Sequence, residues 1–196
     1  MSTEGLITDD VGVTRCSWAT STQEYLAYHD TEWGVAVHGE TALYERLTLE
    51  GFQSGLSWLT ILRKRESFRA AFAGFDAESV AAFDDGDYER LMNDRSIVRN
   101  RLKIRAAMTN ARAVVRLRDA GGLDELLWSF RPAGHLRPRT PADVPATSEE
   151  SIALAKALKR NGFAFIGPTT MYATMQACGL VDDHLAGCFG GQGCSV

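Results

Sequence analysis

The sequence predicts an all-α protein, and three observations carry that expectation. No stretch of strand length alternates apolar and polar residues convincingly with period two. Cap-type residues recur ahead of apolar residues at helical spacing, and glycines or prolines punctuate the chain between them. Ile104, Ala107, Met108, Ala111 and Val115 draw an apolar stripe along the longest such segment, about 99–120, and Gly121-Gly122 stops it. At 196 residues the chain is long enough to bury a proper core as one domain or one two-lobed unit.

In chain order, residues 1–14 (MSTEGLITDDVGVT) have neither a basic n-region nor an apolar h-region. They read as a poorly ordered tail ahead of a folded domain over 15–189. Ser21-Thr22-Gln23-Glu24 reads as a capping box with Ser21 as N-cap. The short helix it opens carries Tyr25, Tyr28 and His29, and Trp33-Gly34 ends it. A second helix is expected over about 40–53. Ser57 caps a third, Asp76 a short one ending near Phe83, and another covers about 86–93. After a brief turn at 94–97 comes the long helix, then one over 123–130. The connector 131–147 holds four of the five prolines and could separate two lobes. Thr147-Ser148-Glu149-Glu150 reads as a second capping box, for a helix that Gly162 closes. Pro168 suits the first position of the last helix, which runs to Gly179. Residues 190–196 read as a flexible end.

Hydrophobic residues make up 45% and charged residues 23%, as in ordinary soluble proteins. No run of about 18 apolar residues occurs, so neither a membrane-spanning helix nor a membrane partner is expected. Cys16, Cys178, Cys188 and Cys194, in a chain with no export signal, read as core thiols or metal ligands in the reducing cytoplasm. The net charge of −4 conceals an asymmetry. Between Arg95 and Arg118 lie eight basic residues and no acidic one, which leaves 13 basic against 25 acidic residues elsewhere. A tight turn followed by a basic helix N-terminus offers free N–H groups and a positive dipole end to a phosphate. A solvated helix face would show the same composition.

Glu50 shares a helix face with Leu43 and Leu47. A carboxylate on an apolar face is either desolvated at a cost or lines a cavity that holds a ligand. Capping or an ion pair is the plainer alternative, with Trp58, eight residues on, as core. Trp18, Tyr25, Tyr28, Trp33 and Trp58 crowd the first third of the chain. Besides filling core, they could stack around a flat cation, each desolvated contact contributing about 1–2 kcal/mol. Cys16 and His29 have twelve residues between them, and His184 and Cys188 fall on one face of a helical turn. These four would make a closed Cys₂His₂ site, structural because no position stays open for water. Nucleotide-loop, zinc-protease and nucleophile-elbow motifs are absent. His38 and His135 have no obvious partners and are expected at the surface.

Five segments together resemble the bacterial DNA-3-methyladenine glycosylase I family. They are Cys16-Ser17-Trp18, Tyr28-His29-Asp30-x-Glu32-Trp33-Gly34, Leu49 through Trp58 (LEGFQSGLSW), Arg99-Asn100-Arg101-x-Lys103-Ile104, and Met175 through His184 (MQACGLVDDH). The match runs from about 15 to 188. The resemblance implies a two-lobed helix-hairpin-helix glycosylase fold with the base pocket between the lobes. It implies a structural zinc on Cys16, His29, His184 and Cys188, joining the N- and C-terminal segments. Glu50 would contact the flipped base and is the best-placed catalytic carboxylate. Trp58 would stack on the base, and Trp18, Tyr25 and Tyr28 would complete the pocket. The hairpin over 94–104, with Arg99, Arg101 and Lys103, would hold the DNA backbone. The implied activity is hydrolysis of the N-glycosidic bond of 3-methyladenine in double-stranded DNA by a monomer, the first step of base excision repair. A zinc-stapled binder of alkylated DNA that does not turn over would keep the same features. The chain departs from the family at Ser17 and Ser54, where glycine and alanine are usual, and at Ser96, where the hairpin commonly has glycine.

Overall fold

A computed structural model describes residues 4–190. The last six residues of the expected flexible end lie outside the described residues. At the other end, Leu6–Thr8 (β1) pairs antiparallel with Thr14–Cys16 (β2), Leu6 opposite Cys16 and Thr8 opposite Thr14. The expected tail is therefore a hairpin in its described part. Asp9 Oδ1 closes its turn by accepting from the N–H groups of Val11 and Val13, and Gly12 takes φ 85° there. Three-residue strands are too short to show an alternation, which is why the sequence reads as a tail. The hairpin delivers Cys16 to the interior.

The rest is helical, as expected: α1 (Gln23–Thr31), α2 (Glu40–Gln53), α3 (Trp58–Ala71), α4 (Ala77–Ala81) and α5 (Asp85–Asn93), then α6 (Arg101–Leu117), α7 (Gly122–Trp128), α8 (Glu149–Arg160) and α9 (Pro168–Ala177). Ser57 and Asp76 cap α3 and α4 by accepting from the N–H groups of Thr60 and Ser79. Two caps sit one residue later than the sequence suggests. Thr22 caps α1, its Oγ1 accepting from Tyr25 N at 3.2 Å, while the Ser21 hydroxyl turns back to Trp18 O. Ser148 caps α8 in a reciprocal box with Ser151. Where two cap-competent residues adjoin, the local pattern leaves the register open by one.

One main core runs through α2, α3, α4, α6, α8 and α9, from Leu43 and Phe52 through Ile104 and Val114 to Leu154 and Met175. It continues across the proline-rich connector, so the connector does not part the buried side chains into two cores. A small cluster of Cys16, Leu185 and Cys188 packs apart from it, with Leu6 alongside.

The turn between α5 and α6 is held from three sides. Asp94 Oδ1 accepts from both the amide and the hydroxyl of Ser96, at 2.8 and 2.6 Å. Lys64 Nζ donates to Ser96 O at 2.8 Å from α3. Asn100 caps α6, accepting from the N–H groups of Leu102 and Lys103. Ser96 is not among the residues with positive φ, so this turn does not require glycine there.

Candidate functional site

Helix α2 buries Leu43, Leu47 and Phe52 and, on the same face, Glu50, which is 5% exposed. Glu50 meets an open cavity of about 300 Å³. Trp18, Tyr25, Tyr28 and Trp58 line it as well, so the five residues expected around one ligand come together. Trp33, Gln53, Ala173 and Gln176 complete the lining. Gln53 lies three residues after Glu50 and could have been found by helix-face counting. Gln176 comes from α9, and no local pattern links it to α2.

Each wall has a local cause. Gly55, with φ 81°, reverses the chain between α2 and α3 and returns Trp58 toward Glu50. Tyr25 Oη accepts from Leu59 N at 3.0 Å, tying α1 to the start of α3. Tyr28 and Trp58 lie 5.3 Å apart at 46°, and Trp18 meets Tyr25 and Trp33 edge-on at 5.6 and 5.1 Å. The Trp58 indole nitrogen is buried with no hydrogen-bond partner among the described residues.

The electrostatics are those of a desolvated acid. Burial pushes the Glu50 carboxyl up to about 8, with only the Arg46 charge pulling it back. Arg46 Nη2 donates to Glu32 at 2.7 Å, and its Nη1 is buried with no hydrogen-bond partner among the described residues. No hydrogen bond reaches the Glu50 carboxylate from the described residues. Burial also raises the Tyr28 phenol well above its ordinary value, the Glu50 charge adding to the effect. A cavity of aromatic faces with an unsatisfied carboxyl suits a flat, electron-poor, donor-bearing ligand. It contains no lysine among its lining residues.

Behind this wall lies the cysteine–histidine cluster. The ligand atoms of Cys16, His29 and Cys188 lie within 4.8 Å of one another, all three residues buried. Cys188 Sγ is 3.3 Å from His29 Nε2. The Cys188 thiol is pushed down to about 4, chiefly by its bond with Cys16, and Cys16 is raised by the same bond and by burial. Burial opposes protonation of His29, but its bonds with Cys188 and Asp30 outweigh it and raise its pKa. His184 is fully buried, its ring 4.7 Å from that of His29, and its Nε2 has no hydrogen-bond partner among the described residues.

The other ring nitrogens are oriented by carboxylates, His29 Nδ1 by Asp30 at 2.8 Å and His184 Nδ1 by Asp182 at 2.6 Å. Carboxylates behind imidazoles are the usual outer partners of metal-binding histidines. The donors therefore fit a metal ion. His184 and Cys188 are not on a helix, as their spacing suggests. They sit in an irregular segment that Arg137 holds through Asp182 Oδ2, Cys188 O and Gly190 O. Gly34, with φ 74°, passes so close that a Cβ would meet the His184 ring at 2.9 Å. Cys178 is buried separately, and Cys194 lies outside the described residues.

The basic run divides in two. Lys103 is 7% exposed, and its Nζ donates to Phe52 O at 2.8 Å and Ser54 O at 2.5 Å. Expected at a DNA backbone, it instead satisfies the last carbonyls of α2, and burial lowers its pKa. Arg112 donates to Ala81 O and Phe83 O, Arg118 to Glu40 and Glu78, and Arg105 stacks on Tyr88. Arg99 and Arg101, at the start of α6, remain exposed. Sequence shows the sum of charges but not which of them fold inward. His38 and His135 are at the surface as expected, yet both have partners: His38 pairs with Asp124 and stacks on Trp128, and His135 contacts Asp183.

Residues 18–190 match the family model described as methyladenine glycosylase. The chain is 45% identical over 179 residues to DNA-3-methyladenine glycosylase 1 of Escherichia coli (strain K12), covering 89% of this chain and 95% of that protein. It is 43% identical to DNA-3-methyladenine glycosylase of Haemophilus influenzae over 178 residues, with 89% and 96% covered. A solved structure concerned with 3-methyladenine recognition by 3-methyladenine DNA glycosylase I of Staphylococcus aureus superposes with TM-score 0.85 at 36% identity, over 89% of this chain and 95% of that one.

Proposed function

Because the chain belongs to the methyladenine glycosylase family, we propose that it hydrolyses the N-glycosidic bond of 3-methyladenine in alkylated double-stranded DNA, opening base excision repair. The observation that carries this reading is the aromatic cavity with Glu50 at its wall. An alkylated adenine in DNA is cationic, so the C1′–N9 bond is already weak. As it breaks, its electron pair passes to the base and cancels that charge, and water adds at C1′ with loss of a proton. The base leaves without a strong general acid. The protein's share is to hold the extruded base, at a cost of a few kcal/mol in unstacking, and to select it by shape and charge.

Trp58 stacks on the base in this reading, while Trp18, Tyr25 and Tyr28 enclose it and Glu50 binds its donor edge. Glu50 is also the best-placed candidate for a catalytic carboxylate, since it lines the cavity. With no lysine in the lining and Lys103 tied to backbone carbonyls, the nucleophile is water rather than an amine. Zinc is the metal these donors favour, held by Cys16, His29, His184 and Cys188. When bound it supplies no chemistry to the base; it fixes the segments that carry the aromatic wall. The α5–turn–α6 unit is the helix-hairpin-helix element of a two-lobed glycosylase working as a cytoplasmic monomer. Incubating methylated DNA with the protein and measuring free base decides the matter. A binder without turnover would retain the DNA and release nothing.

The hairpin assignment makes a paired prediction. Arg99→Ala or Arg101→Ala is expected to weaken DNA binding regardless of flanking sequence and to reduce the salt-dependence slope by about one. Lys103→Met is expected to leave that slope alone while destabilising the fold by about 1–3 kcal/mol, since two carbonyls lose their donor. Binding isotherms across a salt series and thermal melts check both. A reduced slope for Lys103→Met would return that lysine to the interface.

A further inference from the structure

Gln176 lines the cavity from α9, and its Nε2 donates to Asp183 Oδ2 at 2.6 Å. Asp183 is 3% exposed and is itself fixed: Tyr172 Oη donates to the same oxygen at 2.8 Å, and His135 Nε2 stands 3.0 Å from Oδ1. A carboxylate so surrounded only accepts. It therefore determines which end of the Gln176 amide turns toward it, a choice that a glutamine in open solvent leaves undecided. Gln176 Oε1, the other end, has no partner among the described residues and is not a sealed atom. It is left to the cavity.

We propose that Asp183 is a positioning residue that holds Gln176 with its carbonyl oxygen toward the base, and that this acceptor selects 6-amino over 6-oxo purines. The inference rests on the glycosylase reading above and names a source of its specificity. A 6-amino purine brings an N–H donor to an acceptor. A 6-oxo purine brings a second acceptor, leaving two oxygens facing each other unpaired in a desolvated site.

Replacing Asp183 by asparagine tests the device, because its side-chain amide can donate to Gln176 Oε1 and let the Gln176 NH₂ turn into the cavity. Single-turnover release of 3-methyladenine and 3-methylguanine is measured from one methylated DNA, with the unaltered protein in parallel. Asp183→Asn is expected to lower the ratio of the two rates about tenfold, mainly through loss of 3-methyladenine release. Gln176→Leu lowers the same ratio by removing the acceptor. The double variant Asp183→Asn with Gln176→Glu restores it, since a carboxylate at 176 accepts from the asparagine and still presents an oxygen to the base. A purely structural role for Asp183 would show no such rescue.

Asp183 adjoins His184, so metal content and melting temperature are read on every variant. An unchanged ratio in a folded, metal-retaining Asp183→Asn protein overturns the proposal. If that variant loses metal or does not fold, an unchanged ratio in Gln176→Leu overturns it instead. Failure of the unaltered protein to release 3-methyladenine would refute the glycosylase reading, a separate outcome.

Discussion

Glu50→Gln is expected to lower 3-methyladenine release by about a hundredfold, the scale for removing a charge aimed at the reacting group, while making the protein more stable. The two effects have one origin. In the unfolded chain this carboxyl ionises near its ordinary value of 4.5, and in the folded protein burial holds its proton until about 8. Below the lower value both states are neutral and burial carries no ionic penalty. As pH rises from about 4.5 to 8 the unfolded state releases a proton that the native state keeps, so stability falls; above 8 the loss is complete. Glutamine cannot ionise. At pH 8 the variant should therefore unfold later, by an amount on the order of a few kcal/mol, and the gain should vanish near pH 4. Glu50→Ala should lose activity equally. Melts at the two pH values and a free-base assay measure both halves. Full release by both variants would remove Glu50 from its assigned role.

Loss of the metal is expected to have the other large effect. The purified protein should carry about one zinc per chain, and Cys188→Ser or Cys16→Ser should reduce that toward zero. These residues come from the N-terminal hairpin and the last described segment, and a closed Cys₂His₂ site contributes its binding energy to folding. A destabilisation on the order of several kcal/mol follows. Activity should fall further than stability alone requires, because Trp18 and Trp33 of the cavity wall lie 5.3 and 4.6 Å from the rings of His29 and His184. Elemental analysis, melts with and without a chelator, and excision rates check this. A metal-free chain that melts like the original would refute the staple.

How much of this was legible in the sequence depended on range. Caps, glycine stops and the apolar stripe are local signals, and they placed α2 at 40–53, as observed. They failed by one residue at Thr22 and Ser148, where neighbouring residues compete for the cap, and they missed strands three residues long. The aromatic residues and Glu50 could be picked out because they lie close together in the chain. Gln176 and Asp183 could not, since only the packing of α9 against α2 brings the former to the cavity. Charge was the most misleading cue. The run from Arg95 to Arg118 looked uniform, yet Lys103, Arg105, Arg112 and Arg118 are spent on carbonyls, a ring and carboxylates within the fold.

The elevated pKa of Glu50 also has a consequence for how damage is told from normal DNA. Burial raises the Glu50 carboxyl to about 8, which favours its protonated form in the empty cavity near pH 7. A cationic base can enter by exchange, one positive charge in and one proton out, so the desolvated site never carries an unbalanced charge. An undamaged adenine brings no charge to trade and must either leave the proton in place or face a bare carboxylate. Binding of alkylated DNA near pH 7 should accordingly release close to one proton. Heats of binding in two buffers of different ionisation enthalpy would measure it, and identical heats would show that no such exchange occurs.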